Sequence, residues 1–441
     1  MGKTLANKIK NLLLEILFLG VKTKPEERKG ILGMFSSLFI ILMTTYFLKP
    51  AREILILTEG TAELRSYAVA MQAVFLIFLL PVYGKFSRRY SCNNFMRAVT
   101  IFFSLIFILF YIASSLGYHI SVVFFIWLGI YGVVIIAQFW AFATDLLTRE
   151  AGERLFVIIA FGGSIGAWFG ATVSRVLINY LSASELILLS SATLALSMIP
   201  ALYAVRTLPR GCLLEDVCDP IRNIKTSFWA CFQIVFTRRI LLMIAIFVIL
   251  FNLINTTGEY LLSSTLEREF ARGATNGTIT IAKGVFVGKF YSDFFSIVNF
   301  VSALIQFFLV SRLIRFAGFS WAFIFTPLVV FLGYSSLFIV PTLAILRLIK
   351  ISENSLDYSL LNTTKQMLFL PMNRQEKYEA RATIDSFGQR VGDLLQAGVV
   401  FIGLNFYHFV FKGFISVVVL FSVCNIILVY LILRERQRLI K

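Results

Sequence analysis

The chain has 441 residues, 58% hydrophobic and only 15% charged, with 46 phenylalanines and a net charge of +17. A soluble domain is about half apolar and about a quarter charged, so this composition excludes a water-soluble protein and points to one that crosses a membrane many times. The excess of lysine and arginine is spread over alternate loops rather than held in one basic domain, which speaks against nucleic acid as a partner and for positive-inside topology.

Residues 1–30 carry Lys3, Lys8, Lys10, Lys22, Lys24, Arg28 and Lys29 around the apolar run Leu12 to Leu19. That run is too short to span and lacks a small-residue cleavage site, so the segment reads as a cytoplasmic amphipathic helix on the membrane face. Apolar stretches of spanning length follow near 31–49, 66–84, 98–117, 121–144, 155–180 and 184–205, the N-terminal half. A polar cytoplasmic connector occupies 206–239. Further spans fall near 240–262, 290–311, 319–340, 341–361, 386–409 and 413–433, and 434–441 is a basic tail. The polar stretch 263–289 reads as disorder or a short surface helix. The expected fold is an all-α membrane protein of twelve transmembrane helices in two six-helix halves, 31–205 and 240–433, the major-facilitator plan.

The charged loops set an orientation. Lys85, Arg88, Arg89 and Arg97 follow the second span, Arg312 and Arg315 the eighth, and Arg434, Arg436, Arg438 and Lys441 the last. The loops near Gly117–His119 and Leu181–Ser184 have no lysine or arginine. Both termini are therefore expected in the cytoplasm, in a multi-pass protein of the bacterial inner membrane.

Enzyme chemistry finds little support. Two histidines, His119 and His408, and five scattered cysteines give no metal-ligand spacing and no nucleophile–base pair, and neither a metal nor a cofactor is expected. GGSIGAWFG places Gly162, Gly163, Gly166 and Gly170 on a helix with no preceding strand and no GK[ST], so it reads as a close helix-packing face rather than a phosphate loop.

The informative charges lie inside the apolar spans. Arg347, Lys350, Glu353 and Asp357 recur at spacings of three and four in the tenth span and share one helical face. A lipid-facing stripe of this kind is too costly, which leaves an internal salt-bridge ladder or a solute pathway in which Lys350 meets an anion. In YFLKPAREILIL, Pro50 is expected to kink the first span, with Lys49, Arg52 and Glu53 beside the kink. Arg52 offers a planar fork suited to phosphate or carboxylate. Asp145, Glu259 and Asp393, the last close to Arg390, are either proton-coupling acids or partners of arginines.

The block ILKISENSLDYSLLNTTKQMLFLPMNRQEKYEARATID resembles the bacterial and plastid nucleotide (ATP/ADP) translocases, through Tyr358, Ser359, Leu360, Thr364, Lys365, Met367, Phe369, Pro371, Lys377, Arg381, Ile384 and Asp385. Phe139, Trp140, Phe142, Ala143, Arg154 and Phe156 are similar to a second motif of that family, and LKPAREILIL to a third, in which Arg52 stands where the translocases carry a lysine. The chain also departs from them. Asp357 stands where a basic residue is usual, Asn255 and Glu259 replace an acid and a lysine, and Asp393 replaces a lysine. The resemblance implies exchange of a nucleotide or related phosphorylated metabolite; the two-half plan implies alternating access, and the protein is expected to work as a monomer. From the charges themselves, the residues expected to bind substrate are Lys49, Arg52, Lys350, Glu353, Asp357, Tyr358 and Arg390. Coupling or gating falls to Asp145, Arg154, Glu259, Asp385 and Asp393, and the cytosolic mouth to Lys365, Lys377 and Arg381. The acid-rich pathway keeps a proton-coupled carrier or exporter of a siderophore, sugar acid or drug as the alternative, with a non-transporting membrane scaffold third.

Overall fold

The structure is a computed structural model, and it describes residues 26–87, 92–208, 228–372 and 380–440. Most of the predicted amphipathic segment, the middle of the connector and Lys377 lie outside the described residues.

The elements are helices, as the long apolar runs require once backbone groups must be satisfied without water. They are α1 (Arg28–Glu59), α2 (Ala62–Ser87), α3 (Cys92–Ser115), α4 (Ser121–Leu146), α5 (Arg149–Leu177), α6 (Ala183–Leu196) and α7 (Met198–Thr207). After the connector come α8 (Phe228–Thr237), α9 (Arg239–Thr275), α10 (Lys283–Leu304), α11 (Val310–Ser336) and α12 (Leu343–Leu356). The last are α13 (Asn362–Leu368), α14 (Arg381–Thr383), α15 (Gln389–Asn405) and α16 (Phe411–Ile440). Single π-helical turns at Ile305–Leu309, Asp357–Leu361 and Ile384–Gly388 interrupt the later helices.

Nine helical stretches among the described residues are long and apolar enough to cross a bilayer. One of them, Lys283–Ser336, covers two predicted spans, with Gly318 at their predicted junction holding φ +82°, a left-handed value that favours glycine. The stretches predicted at 341–361 and 386–409 are not among the nine; their α-helical parts, α12 and α15, run for 14 and 17 residues beside π turns and carry several charges.

Two boundaries differ from the sequence expectation. α1 does not stop at Pro50 but runs on to Glu59, because the missing amide removes one bond without breaking the flanking turns. α9 runs for 37 residues to Thr275, so the first half of the polar stretch 263–289 is a continuous extension of a spanning helix. Charged residues such as Glu267, Arg268 and Glu269 are good helix formers, and polarity alone does not end a helix.

The chain divides into two compact units. Unit 1 comprises residues up to Ala51, Val82–Ile120 and Leu128–Arg222. Within it α1 packs on α5 through the glycine face: a Cβ on Gly166 would lie 2.2 Å from the Phe39 carbonyl oxygen, and one on Gly170 2.6 Å from that of Met43. Polar side chains fasten the other contacts. Thr44 Oγ1 donates to Thr193 Oγ1 at 2.9 Å, and Ser191 Oγ donates to the Ser104 carbonyl at 2.8 Å. α6 begins in a capping box: Glu185 Oε2 accepts from the Ser182 amide at 2.7 Å while Ser182 Oγ accepts from the Glu185 amide. Unit 2 comprises Arg52–Pro81, Ser121–Trp127 and Asn223–Lys441, and so joins pieces from both halves of the sequence. α9 runs through it, packing against α12, α15 and α16. Gln396 of α15 donates to Ser66 Oγ of α2 at 3.1 Å.

Candidate functional site

Unit 2 gathers three cations and three carboxylates from α1, α2, α9 and α12 into one network. Glu53 of α1 is fully buried and accepts Arg65 Nε at 2.7 Å; Arg52 pairs with the same carboxylate. Arg52 also lies 4.3 Å over the ring of Phe125, which anchors its planar fork. Arg65 of α2 reaches on with Nη2 to Glu259 Oε2 at 3.1 Å. Glu259 Oε1 then accepts Asn354 Nδ2 at 3.3 Å and stands 3.6 Å from Lys350 Nζ.

Lys350 and Glu353 sit one turn apart on α12 and are both fully buried, with Nζ donating to Glu353 Oε2 at 2.9 Å. Nζ donates as well to the Asn255 carbonyl at 3.0 Å and to its side chain. The Tyr334 hydroxyl of α11 completes the end of the chain, donating to Glu353 Oε2 at 2.8 Å. Glu353 Oε1 is buried with no hydrogen-bond partner among the described residues. Charges alternate through the whole array, so each desolvated ion has an opposite neighbour, the condition under which buried ions are tolerated.

A second polar group lies along α9 and α15. Asn252 Nδ2 donates to Asp393 Oδ1 at 2.7 Å and to the Gln389 carbonyl at 2.7 Å, and Arg390 Nη1 donates to Asp393 Oδ2 at 3.1 Å. Beside it is a small cavity of about 20 Å³, with Asn252, Asn255, Asp357, Lys365 and Gln389 in its wall. Asn255 therefore touches both the cavity and the buried lysine.

The predicted site residues thus fall into several places. Arg52, Glu259, Lys350 and Glu353 share the network. Arg390 and Asp393 form the second group, and Asp357 and Lys365 meet at the small cavity. Tyr358 is exposed on the π turn, and Asp145 is exposed near the end of α4. Arg381 pairs with Asp385 at 3.6 Å, both more than a third exposed. In unit 1, Lys49 lies 4.2 Å over the Tyr46 ring and Arg154 donates to Glu27 at 3.1 Å. The tenth-span stripe does not act as one surface: Arg347 lies 5.1 Å over Phe290, away from the network that holds Lys350. Sequence reasoning missed Arg65 and Tyr334. Arg65 carried a signal, a lone cation at the start of an apolar span; Tyr334 carried none.

The profile of the TLC ATP/ADP transporter family matches residues 111–436. Among solved structures, the nucleoside transporter NupG superposes with a TM-score of 0.62 at 14% identity, covering 93% of this chain and 99% of that one. A bacterial homologue of the iron transporter ferroportin, in an inward-facing state, gives 0.61 at 11% identity over 94% and 99%. A bacterial homologue of the human lysosomal transporter Spinster, inward-facing and unoccupied, gives 0.59 at 12% over 95% and 98%. At these identities the likeness is one of fold, the all-α major-facilitator-like bundle.

Proposed function

The chain belongs to the TLC ATP/ADP transporter family and is a membrane transporter, and from that premise we propose that it exchanges a nucleotide or a related phosphorylated metabolite by alternating access. The observation that carries the proposal is the alternation of Arg52, Arg65 and Lys350 with Glu53, Glu259 and Glu353 in a buried layer drawn from both sequence halves. Such a layer is a gate that a polyanion can open. A phosphoryl group offers the cations the same charge-assisted bonds as the carboxylates do, so substrate competes for Arg52 and Lys350 and releases their acidic partners. Guanidinium and ammonium groups already stripped of water bind an entering phosphate without a second desolvation cost.

In this mechanism Arg52, Lys49 and Lys350 hold anionic groups, with Glu353, Asp357, Tyr358 and Arg390 shaping the path. Glu259, Asp393, Asp145, Arg154 and Asp385 break and remake ion pairs as the halves 31–205 and 240–433 rock. Lys365, Lys377 and Arg381 draw anions to the cytosolic mouth. The protein works as a monomer in the bacterial inner membrane with both termini in the cytoplasm, an orientation supported by the charged loops.

The test is exchange in proteoliposomes. Vesicles loaded with ADP should take up labelled ATP, empty vesicles should not, and an imposed proton gradient should leave the rate unchanged. Uptake that ignores internal nucleotide but follows the gradient overturns nucleotide exchange and favours the second reading, a proton-coupled carrier of another solute. Glu353 Oε1, buried with no donor among the described residues, is the observation on that side, since such an oxygen offers a place for a proton.

A further inference from the structure

Where α9 ends and α12 begins, unit 2 holds a cavity of about 700 Å³, within the size range of small-molecule sites. It is separate from the buried network, and its wall carries three guanidinium groups, Arg268, Arg272 and Arg347, against one carboxylate, Glu269. None of these four makes a salt bridge among the described residues, whereas neighbouring Glu267 is occupied by Lys283 at 3.3 Å. The cavity therefore carries two uncompensated positive charges. Arg347 is held in place by the Phe290 ring, and its Nε is buried without a hydrogen-bond partner among the described residues. The first turn of α12 adds to the same potential. Thr342 satisfies the Ile345 and Leu346 amides, and Leu343 and Ala344, whose amides precede the first intrahelical bonds, line the cavity. Phe286 and Phe290 supply apolar wall suited to a flat ring.

We propose that this cavity is a binding site for a soluble anion bearing at least two phosphoryl groups, which it captures before the buried network does. Three forked cations around one space match a di- or triphosphate, whose oxygens accept several charge-assisted bonds at once. The position suits capture: Arg347 and Lys350 are three residues apart on α12, though their side chains face different surroundings. Arg347 stands about one helical turn before Lys350, the buried cation of the network, on the same helix. That the captured anion is a nucleotide rests on the exchange function proposed above; that it is a polyphosphate rests on the cavity alone.

The test uses inorganic pyrophosphate as the probe, titrated by calorimetry into the purified full chain. The triple variant Arg268→Gln, Arg272→Gln, Arg347→Gln should weaken its Kd about a hundredfold, and Glu269→Gln should tighten it about threefold, with wild-type affinity falling steeply as salt rises. Arg268, Arg272 and Glu269 are exposed, so Glu269→Gln carries the test if the triple variant folds poorly. Equal Kd values in wild type and both variants overturn the site. Lipid phosphates share this chemistry, so melting is also compared in phosphatidylcholine nanodiscs with and without phosphatidylglycerol. If the anionic lipid stabilises only the wild type and pyrophosphate binds neither protein, the soluble-anion site is overturned in favour of a headgroup site. If pyrophosphate binding follows the variants while wild-type proteoliposomes exchange no nucleotide, the cavity stands and the exchange function falls.

Discussion

The Tyr334 hydroxyl lies 1.8 Å from the point that a Cβ on Gly258 would occupy. α9 has no side chain there, and that gap lets Tyr334 reach Glu353. Lys350 Cδ is also close, 3.0 Å from the same point. Gly258→Ala should therefore push out the tyrosine, leave Glu353 with Lys350 alone, and cost about 2–3 kcal/mol of stability. Tyr334→Phe removes the clashing oxygen, so the alanine should cost less in that background. Melting of the four proteins in detergent, read as a double-mutant cycle, checks the coupling, and additive costs would show that the two positions act independently.

Arg65 serves two buried carboxylates at once, Glu53 and Glu259. Arg65→Gln should cost about 3–5 kcal/mol, because it leaves desolvated charge without a partner. Adding Glu53→Gln should recover part of that loss, since removing both ends of a buried pair is cheaper than removing one. Arg65→Lys should rescue stability less well than its charge suggests, as one ammonium cannot reproduce a fork aimed at two acids. Thermal denaturation ranks the three variants against the wild type.

The contrast between Arg65 and Lys350 shows what was legible in the sequence. Lys350 and Glu353 announce themselves by helical spacing deep in an apolar run, and their pairing is local. Arg65 stands alone near the start of a span, where one cation reads as an interfacial anchor, and its partners are 12 and 194 residues away. Tyr334 looks like any membrane aromatic until α9 is placed against it. The helical bundle was readable because apolar length and glycine spacing are properties of single segments. The extension of α9 to Thr275 was not, since the apolar run ends well before the hydrogen-bonded helix does.

The α1–α5 contact gives a clean pair of glycine substitutions. Gly166→Ala sets a methyl 2.2 Å from the Phe39 carbonyl, backbone that cannot swing aside, and should cost about 1–3 kcal/mol by forcing the helices apart. Gly132 of α4 has nothing within 4 Å of its Cβ position. Gly132→Ala should be neutral or stabilising by about 0.5–1 kcal/mol, through the better helix propensity of alanine. Melting temperatures moving equally in both would remove close packing as the role of Gly166.

Asp393 and Asp145 separate the two transport readings. Asp393 is bound to Arg390 and Asn252, while Asp145 is exposed on α4. Under nucleotide exchange, Asp145→Asn removes one of the gating acids and should slow exchange severalfold without making it follow a proton gradient. Asp393→Asn should lose roughly tenfold, through the broken Arg390 pair worth about 1–2 kcal/mol, without acquiring any response to a proton gradient. Uphill uptake in wild type that vanishes in Asp393→Asn but leaves downhill flux intact would assign proton coupling to that acid instead.

The π turn at Asp357–Leu361 places one surplus residue between α12 and α13. Such a turn behaves as a single-residue insertion into an α-helix, often at functional sites. Deleting Tyr358, which is exposed, should close the turn into regular α-helix while leaving Lys350, Glu353 and Thr364 in their flanking registers. The protein should fold with a stability within about 1–2 kcal/mol of wild type, since packed side chains on either side keep their neighbours. Transport should nonetheless fall sharply, because Asp357 leaves the small cavity it shares with Lys365. A control deletion of Ile345, in regular helix, should rotate everything on one side by about 100° and prevent folding. Wild-type exchange rates in the Tyr358 deletion would show that the π turn is an accident of packing, with no part in gating.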